Sequence, residues 1–173
     1  ITFMNFKKLC AITLSLFLSF SVFAEELKID TNNTKISFFT GLFDISHDDK
    51  NSTLFGFQHQ DENLKRNTFL GTFSPITGAI ITADQATYFY TGVQAEYKIG
   101  ALKFTPSFTP GYYDSGDGKD LGNTLEFKTE VQLSMEFTKN SQFGLSYNHI
   151  SNGNFGDKNP GANSYMFNFF KNF

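Results

Sequence analysis

Thr124-Leu-Glu-Phe-Lys-Thr-Glu-Val-Gln-Leu-Ser-Met-Glu-Phe137 separates into two sets. The odd positions are Leu125, Phe127, Thr129, Val131, Leu133, Met135 and Phe137. The even positions are Thr124, Glu126, Lys128, Glu130, Gln132, Ser134 and Glu136. Successive side chains of an extended chain point to opposite faces, so this stretch is a strand with one oily face and one charged face. Two folds accept such a strand. In a soluble barrel the oily face lines the interior and the charges meet water. In a membrane barrel the oily face meets lipid and the charges turn inward.

The same parity recurs on either side. Leu102, Phe104, Pro106, Phe108, Pro110 and Tyr112 alternate with Lys103, Thr105, Ser107, Thr109 and Gly111. The two prolines lack a ladder donor and predict a bend or irregular pairing in this strand. Phe89, Val93, Ala95, Tyr97 and Ile99 mark another strand. Phe143, Leu145 and Tyr147 share their face with His149 and Ser151. Asn163, Tyr165, Phe167, Phe169, Lys171 and Phe173 form the last stripe. In all, eight segments are predicted, at 35–46, 53–60, 68–82, 86–100, 101–112, 124–138, 142–151 and 163–173, the first three alternating poorly. Several approach the roughly 9–11 residues of a tilted membrane-crossing strand. The connections at 100–101 and 139–141 are tight, whereas those at 113–123 and 152–162 are longer and rich in Gly, Asp and Asn. Short inner turns alternating with long outer loops are the pattern of an outer-membrane barrel. The 61–67 connection fits less well, because a short turn belongs there.

The first residues read as an export leader. Met4 is the expected start, after an Ile1-Thr2-Phe3 extension. Lys7 and Lys8 form a basic region, Leu9 to Phe20 an apolar run, and Val22-Phe23-Ala24 a cleavage site. Residues 1–24 are therefore expected to be extension and signal peptide, and 25–173 a single barrel domain. The lone cysteine, Cys10, falls in the leader, so the exported chain has no disulfide and is not a small stapled scaffold. With 17 acidic against 14 basic residues and no basic run, no nucleic-acid partner is expected. Phe and Tyr make up 17% of the sequence, and no later stretch approaches the roughly 20 apolar residues of a membrane helix.

Together these features predict an all-β fold, an eight-stranded antiparallel transmembrane β-barrel of the bacterial outer membrane. A soluble lipocalin-like barrel is the alternative. The lumen of an eight-stranded barrel is filled by side chains, so Glu96, Glu126, Lys128, Glu130 and Glu136 are expected to face inward as a paired polar core. Both termini of an even-stranded barrel lie on the periplasmic side. His149 and Ser151, at the end of the seventh segment, then reach the outer leaflet, and Asn163 starts the eighth at the same level. A serine and a histidine capping an oily stripe suit hydrolysis of a lipid ester. Ser151 is the nucleophile and His149 the base, a third group holds the imidazole tautomer, and amide donors near Asn152 and Asn154 meet the oxyanion.

Two stretches carry a family resemblance. Within residues 110–133 stands Pro110-Gly-Tyr-Tyr-Asp-Ser-Gly-Asp-Gly-Lys-Asp-Leu-Gly-Asn-Thr-Leu-Glu-Phe-Lys128. Within 147–165 stand His149-Ile-Ser-Asn152 and Asn159-Pro-Gly-Ala-Asn-Ser-Tyr165. They resemble the lipid A 3-O-deacylase family, the PagL-type acyloxyacyl hydrolases. The resemblance covers the C-terminal half well and the N-terminal half only in general barrel pattern. It implies an eight-stranded outer-membrane barrel with a Ser/His site on its outer wall. By position, His149 matches the family's base, Ser151 its nucleophile and Asn152 its oxyanion residue. The family's acidic triad member falls on Asn163, a departure that removes a charge, and Asn154 stands where glycine is usual. An asparagine carbonyl still accepts from an imidazole N–H, and Asp157 is a second candidate for the missing acid.

No cofactor and no metal are expected. The Asp114–Asp120 loop invites a calcium reading but lacks the bidentate glutamate of an EF-hand, so a solvated turn is favoured. His47 and His59 read as loop and wall residues. The expected partners are lipid A of lipopolysaccharide and outer-membrane lipids, with a homodimer left open. A non-catalytic structural or adhesive barrel is the rival function.

Overall fold

The computed structural model describes residues 34–46 and 51–173. The expected leader and His47 lie outside these residues. The strands are β1 (Thr34–Phe43), β2 (Ser52–Asp61), β3 (Arg66–Thr68), β4 (Gly71–Thr82), β5 (Thr87–Ile99), β6 (Leu102–Asp114), β7 (Leu125–Thr138), β8 (Ser141–Ser151) and β9 (Ala162–Asn172). Every pairing is antiparallel. β1 pairs with both β2 and β9, and the β2–β4 pairing, Leu54↔Thr82 to Gln60↔Ile76, closes the ring. Eight long strands thus form the barrel. The ninth, β3, is a short ribbon paired only with the start of β4.

Parity decides which residues face out. Phe38, Phe57, Phe89, Leu133, Leu145 and Phe167 are among the many large apolar side chains exposed on the outer wall. Lys35, Gln94, Glu126, Lys128, Gln132 and Asn148 are buried in the lumen. Rings and aliphatic groups face out and charges face in, which excludes the lipocalin-like alternative. Ion pairs hold most of the inward charges. Lys103 bridges Glu96 at 3.6 Å and Glu136 at 2.9 Å, and Lys128 meets Glu130 at 2.6 Å under the ring of Tyr90. Pairing is what makes a buried charge tolerable, since a lone one carries a desolvation penalty of several kcal/mol. Glu126 is buried beside them with no cation partner among the described residues.

The poor alternation of the first segments has a physical cause. Phe39, Phe43, Leu54 and Ile80 turn inward and form an apolar cluster with Tyr88, Tyr90, Ile150 and Met166. β1, β2 and β4 are therefore apolar on both faces. The prolines produce no register slip. β6 pairs continuously with β7, while on the β5 side the ladder skips the partners opposite Pro106 and Pro110 and resumes in the same register. The missing N–H groups point to β5, so only that side loses bonds. The long 61–67 connection is also accounted for. It contains a 3-10 turn at Glu62–Leu64 and the β3–β4 hairpin rather than one tight turn.

Candidate active site

β8 ends at Ser151, and its last outward residues are Tyr147, His149 and Ser151. Across the ladder to β9, His149 is the register partner of Asn163. Across the ladder to β7, it faces Thr129, and Ser151 faces Phe127. Three distant sequence positions therefore meet on one patch of wall. His149, Ser151 and Thr129 line a hollow of about 400 Å³ with Phe108, Phe127, Gly153 and Phe155. Its walls are mostly aromatic, with Phe127 stacked on Phe108 at 5.9 Å and tilted against Phe155 at the same distance.

The imidazole is held from the β9 side. His149 Nδ1 lies 2.8 Å from Asn163 Oδ1. Tyr147 Oη donates to the same oxygen at 2.8 Å, and Asn163 Nδ2 donates to Ser46 Oγ at 2.6 Å. Ser46 belongs to the first outer connection, which also docks through Ile45 N–H to Asn163 O at 3.0 Å. With Oδ1 turned to the ring, His149 carries its proton on Nδ1 and leaves Nε2 free to accept one. Asn163 thus stands against the imidazole through both the ladder register and its side chain. Asp157 does not: it sits exposed in the loop after β8, and the imidazole's partner is Asn163. Gly161, with φ of +60°, packs against the other edge of the ring. A Cβ there would sit 2.8 Å from His149 Cε1 and 3.3 Å from Nε2.

The turn after Ser151 runs from Asn152 to Phe155 and closes with Phe155 N–H donating to Asn152 O at 3.1 Å. Gly153 and Asn154 both have positive φ, the geometry of a type I′ turn. Asparagine is among the few residues besides glycine that adopt this region readily, so Asn154 fits the second central position of this turn. Asn152 is fully buried. Its Nδ2 donates to Leu121 O at 2.9 Å and Lys158 O at 2.8 Å, and its Oδ1 accepts from Asn154 N–H at 2.9 Å. Its own N–H donates to Asn159 Oδ1 at 3.1 Å. The backbone N–H groups of both expected oxyanion residues, and the Asn152 side-chain amide, are therefore engaged by the outer loops. Gly153 N–H has no partner among the described residues, and Gly153 lines the hollow.

The acidic 114–120 loop is built of capped turns. Asp114 Oδ1 accepts from Gly116 N–H and Asp120 Oδ1 from Gly122 N–H. Lys158 bridges Asp120 at 2.6 Å and, as the larger influence with that backbone bond, holds its carboxyl below the usual range. His59 is exposed on the β2 wall, facing Ile36 and Thr77 across the ladders.

A family model for lipid A 3-O-deacylase (PagL) matches residues 39–172. No curated protein matches the chain. Among solved structures, a crystal structure of the outer membrane enzyme PagL superposes with a TM-score of 0.63 at 15% identity, covering 79% of this chain and 98% of that one. A de novo designed transmembrane β-barrel superposes with a TM-score of 0.54 at 10% identity, covering 83% of this chain and 98% of that one. At such identities these superpositions speak for the fold, an eight-stranded membrane barrel, and the family match speaks for kinship. The chain belongs to the lipid A 3-O-deacylase (PagL) family, as an ester hydrolase of the outer membrane.

Proposed function

We propose that this barrel removes the 3-O-linked fatty acid of lipid A by a serine–histidine mechanism on its lipid-facing wall. The observation that carries the reading is the His149–Asn163 contact beside Ser151, at the lip of an apolar hollow. His149 Nε2 takes the proton of Ser151 as Oγ attacks the ester carbonyl. The tetrahedral intermediate collapses, the C–O bond to the sugar breaks, and His149 returns the proton to the leaving sugar oxygen. Water, activated in turn by His149, cleaves the acyl-serine and releases the fatty acid. Gly153 N–H meets the oxyanion, and Asn152 and Asn154 hold the turn that presents it. One such donor typically contributes about 3 kcal/mol to the transition state. The acyl chain follows the aromatic hollow over Thr129, toward Phe108.

His149 and Ser151 share no hydrogen bond in the structure. Catalytic contacts of this kind are commonly long without substrate and tighten in the complex. Asn163 gives the imidazolium no countercharge, so the enzyme is expected to be slower than one with an acid in that place.

Mass spectrometry of lipid A from a Gram-negative host tests the reading. Cells expressing the wild type lose one hydroxy-fatty-acid mass, and cells expressing Ser151→Ala do not. No change in either, with both proteins folded in the outer membrane, favours the non-catalytic barrel. Loss of a different acyl chain keeps the esterase and overturns the 3-O assignment.

A further inference from the structure

The β3–β4 hairpin at the inner end of the barrel has an unusual tip. Turns exposed to water favour Gly, Asn, Asp and Pro. This one carries Phe69 and Leu70, and Phe69 is 95% exposed. The tip is ordered by its own bonds. Leu70 N–H donates to Thr68 Oγ1 at 3.1 Å, Thr68 Oγ1 donates to Gly71 O at 2.9 Å, and Thr72 Oγ1 donates to Asn67 Oδ1 at 2.8 Å.

The tip does not hang free below the barrel. Tyr97, an outward residue of β5, donates its hydroxyl to Leu70 O at 2.6 Å. Gly71, with φ of +125°, lies so close to that ring that a Cβ would come within 2.9 Å of Tyr97 Cε1. Tyr97 in turn lies tilted against Phe104 at 6.3 Å, and the exposed Ile99 and Leu102 continue the apolar wall at the same end. Rings at the ends of the strands are the girdle by which a membrane barrel meets the interface. The hairpin tip is thus pinned to the girdle and prolongs the lipid-facing surface. Arg66, exposed on β3 at the base of the tip, has no carboxylate partner among the described residues. A cation beside apolar side chains suits a boundary of phosphates above hydrocarbon.

We infer that the Thr68–Gly71 tip is an interfacial anchor, seating Phe69 and Leu70 among the phospholipid chains of the inner leaflet with Arg66 at their phosphates. The hairpin then serves as a foot that sets the depth and tilt of the barrel, and with them the height of the outer-leaflet site. This inference rests on the barrel's place in the outer membrane and is independent of the catalytic assignment.

The sequence holds no tryptophan, so Phe69→Trp creates a single fluorescent reporter. The full barrel is placed in phospholipid nanodiscs, which leave both faces open to solvent, and its fold is checked by heat-modifiable gel mobility. Phospholipids brominated near the headgroup end of the chain quench from the lipid side, and iodide quenches from water. The expected result is strong quenching by the brominated lipid, weaker quenching when the bromines sit at the chain ends, and protection from iodide. An indole quenched by iodide and untouched by brominated lipid overturns the anchor. An indole protected from both quenchers overturns it as well, in favour of a protein contact such as a second copy. Leu70→Trp gives the same reading should the first variant not fold.

Discussion

Asn163 Oδ1 lies 2.8 Å from His149 Nδ1, between two residues that are register partners across the β8–β9 ladder. An acid in this position only accepts hydrogen bonds. An amide has two orientations, and only one is productive. Turned the other way, Nδ2 would face Nδ1, the ring proton would move to Nε2, and Nε2 would lose its capacity to take the serine proton. Tyr147 and Ser46 bias the choice by bonding the two ends of the amide.

Restoring the charge should therefore accelerate the enzyme. Asn163→Asp keeps the shape, accepts from Nδ1–H without ambiguity and stabilises the imidazolium. A gain in kcat of about tenfold or more is expected, within the roughly 10⁴-fold effect of the reverse exchange in a serine protease. Asn163→Leu should lower kcat by a comparable factor. Deacylation rates on purified lipopolysaccharide in detergent micelles read both. A slower Asn163→Asp enzyme would show that the amide is not the weak member of the site.

Tyr147 acts through Asn163. Tyr147→Phe removes the second hydrogen bond to Oδ1 but keeps the ring, so kcat should fall about three- to tenfold, as for one lost hydrogen bond of ~1 kcal/mol, with KM nearly unchanged. In an Asn163→Asp background the same change should cost less, because a carboxylate needs no help in choosing its orientation. The double-mutant cycle separates this positioning role from a loss of wall packing, which would be additive.

Gly161 is the position where a single methyl group should disable the site. Gly161→Ala meets both a left-handed backbone, at a cost of about 1–2 kcal/mol, and a clash with the ring of His149. A displacement of the imidazole by about an ångström should reduce kcat on the order of a hundredfold. The barrel ladder is untouched, so heat-modifiable mobility should be retained. Full activity in this variant would mean that the ring adopts a different pose in the complex.

Thr129 is the small residue opposite His149 in the hollow. Thr129→Phe should fill much of that space, raise KM for long acyl chains and spare short ester substrates. A parallel series of synthetic esters of increasing chain length measures the effect. Equal loss for all lengths would place the acyl chain elsewhere on the wall.

Asn152 tests the turn itself. Asn152→Leu deletes bonds to Leu121, Lys158 and Asn154 and leaves the buried Leu121 carbonyl without its donor. Unsatisfied buried groups cost about 1–3 kcal/mol each, so thermal unfolding in detergent should shift down and deacylation should be lost. Asn152→Leu with wild-type activity would remove the turn from the mechanism.

The strand stripes from Leu102 onward are legible in the sequence because their inward face is polar and their outward face apolar. Period two then shows directly in the residue types, and it carries the positions of His149, Ser151 and Asn163 to one face. The first strands hide the same period, since Phe39, Leu54 and Ile80 pack inside while Phe38 and Phe55 face out. The 61–70 segment also resists reading. A chain that leaves the barrel and returns as a ribbon against Tyr97 satisfies no single periodicity.

The sequence by itself determined the barrel and its orientation and marked His149, Ser151 and Asn163 as candidates on one face, because each follows from local alternation and from loop length. Only the tertiary structure decided how those residues work together. Asn163 reaches His149 through a ladder register, Ser46 and Leu121 arrive from distant loops, and Asn152 turns into the lumen while Gly153 is left facing the hollow. Such contacts depend on how strands slide past one another and how loops fold over the rim. Closure of the barrel sets both at once, so no local pattern of residue types records them.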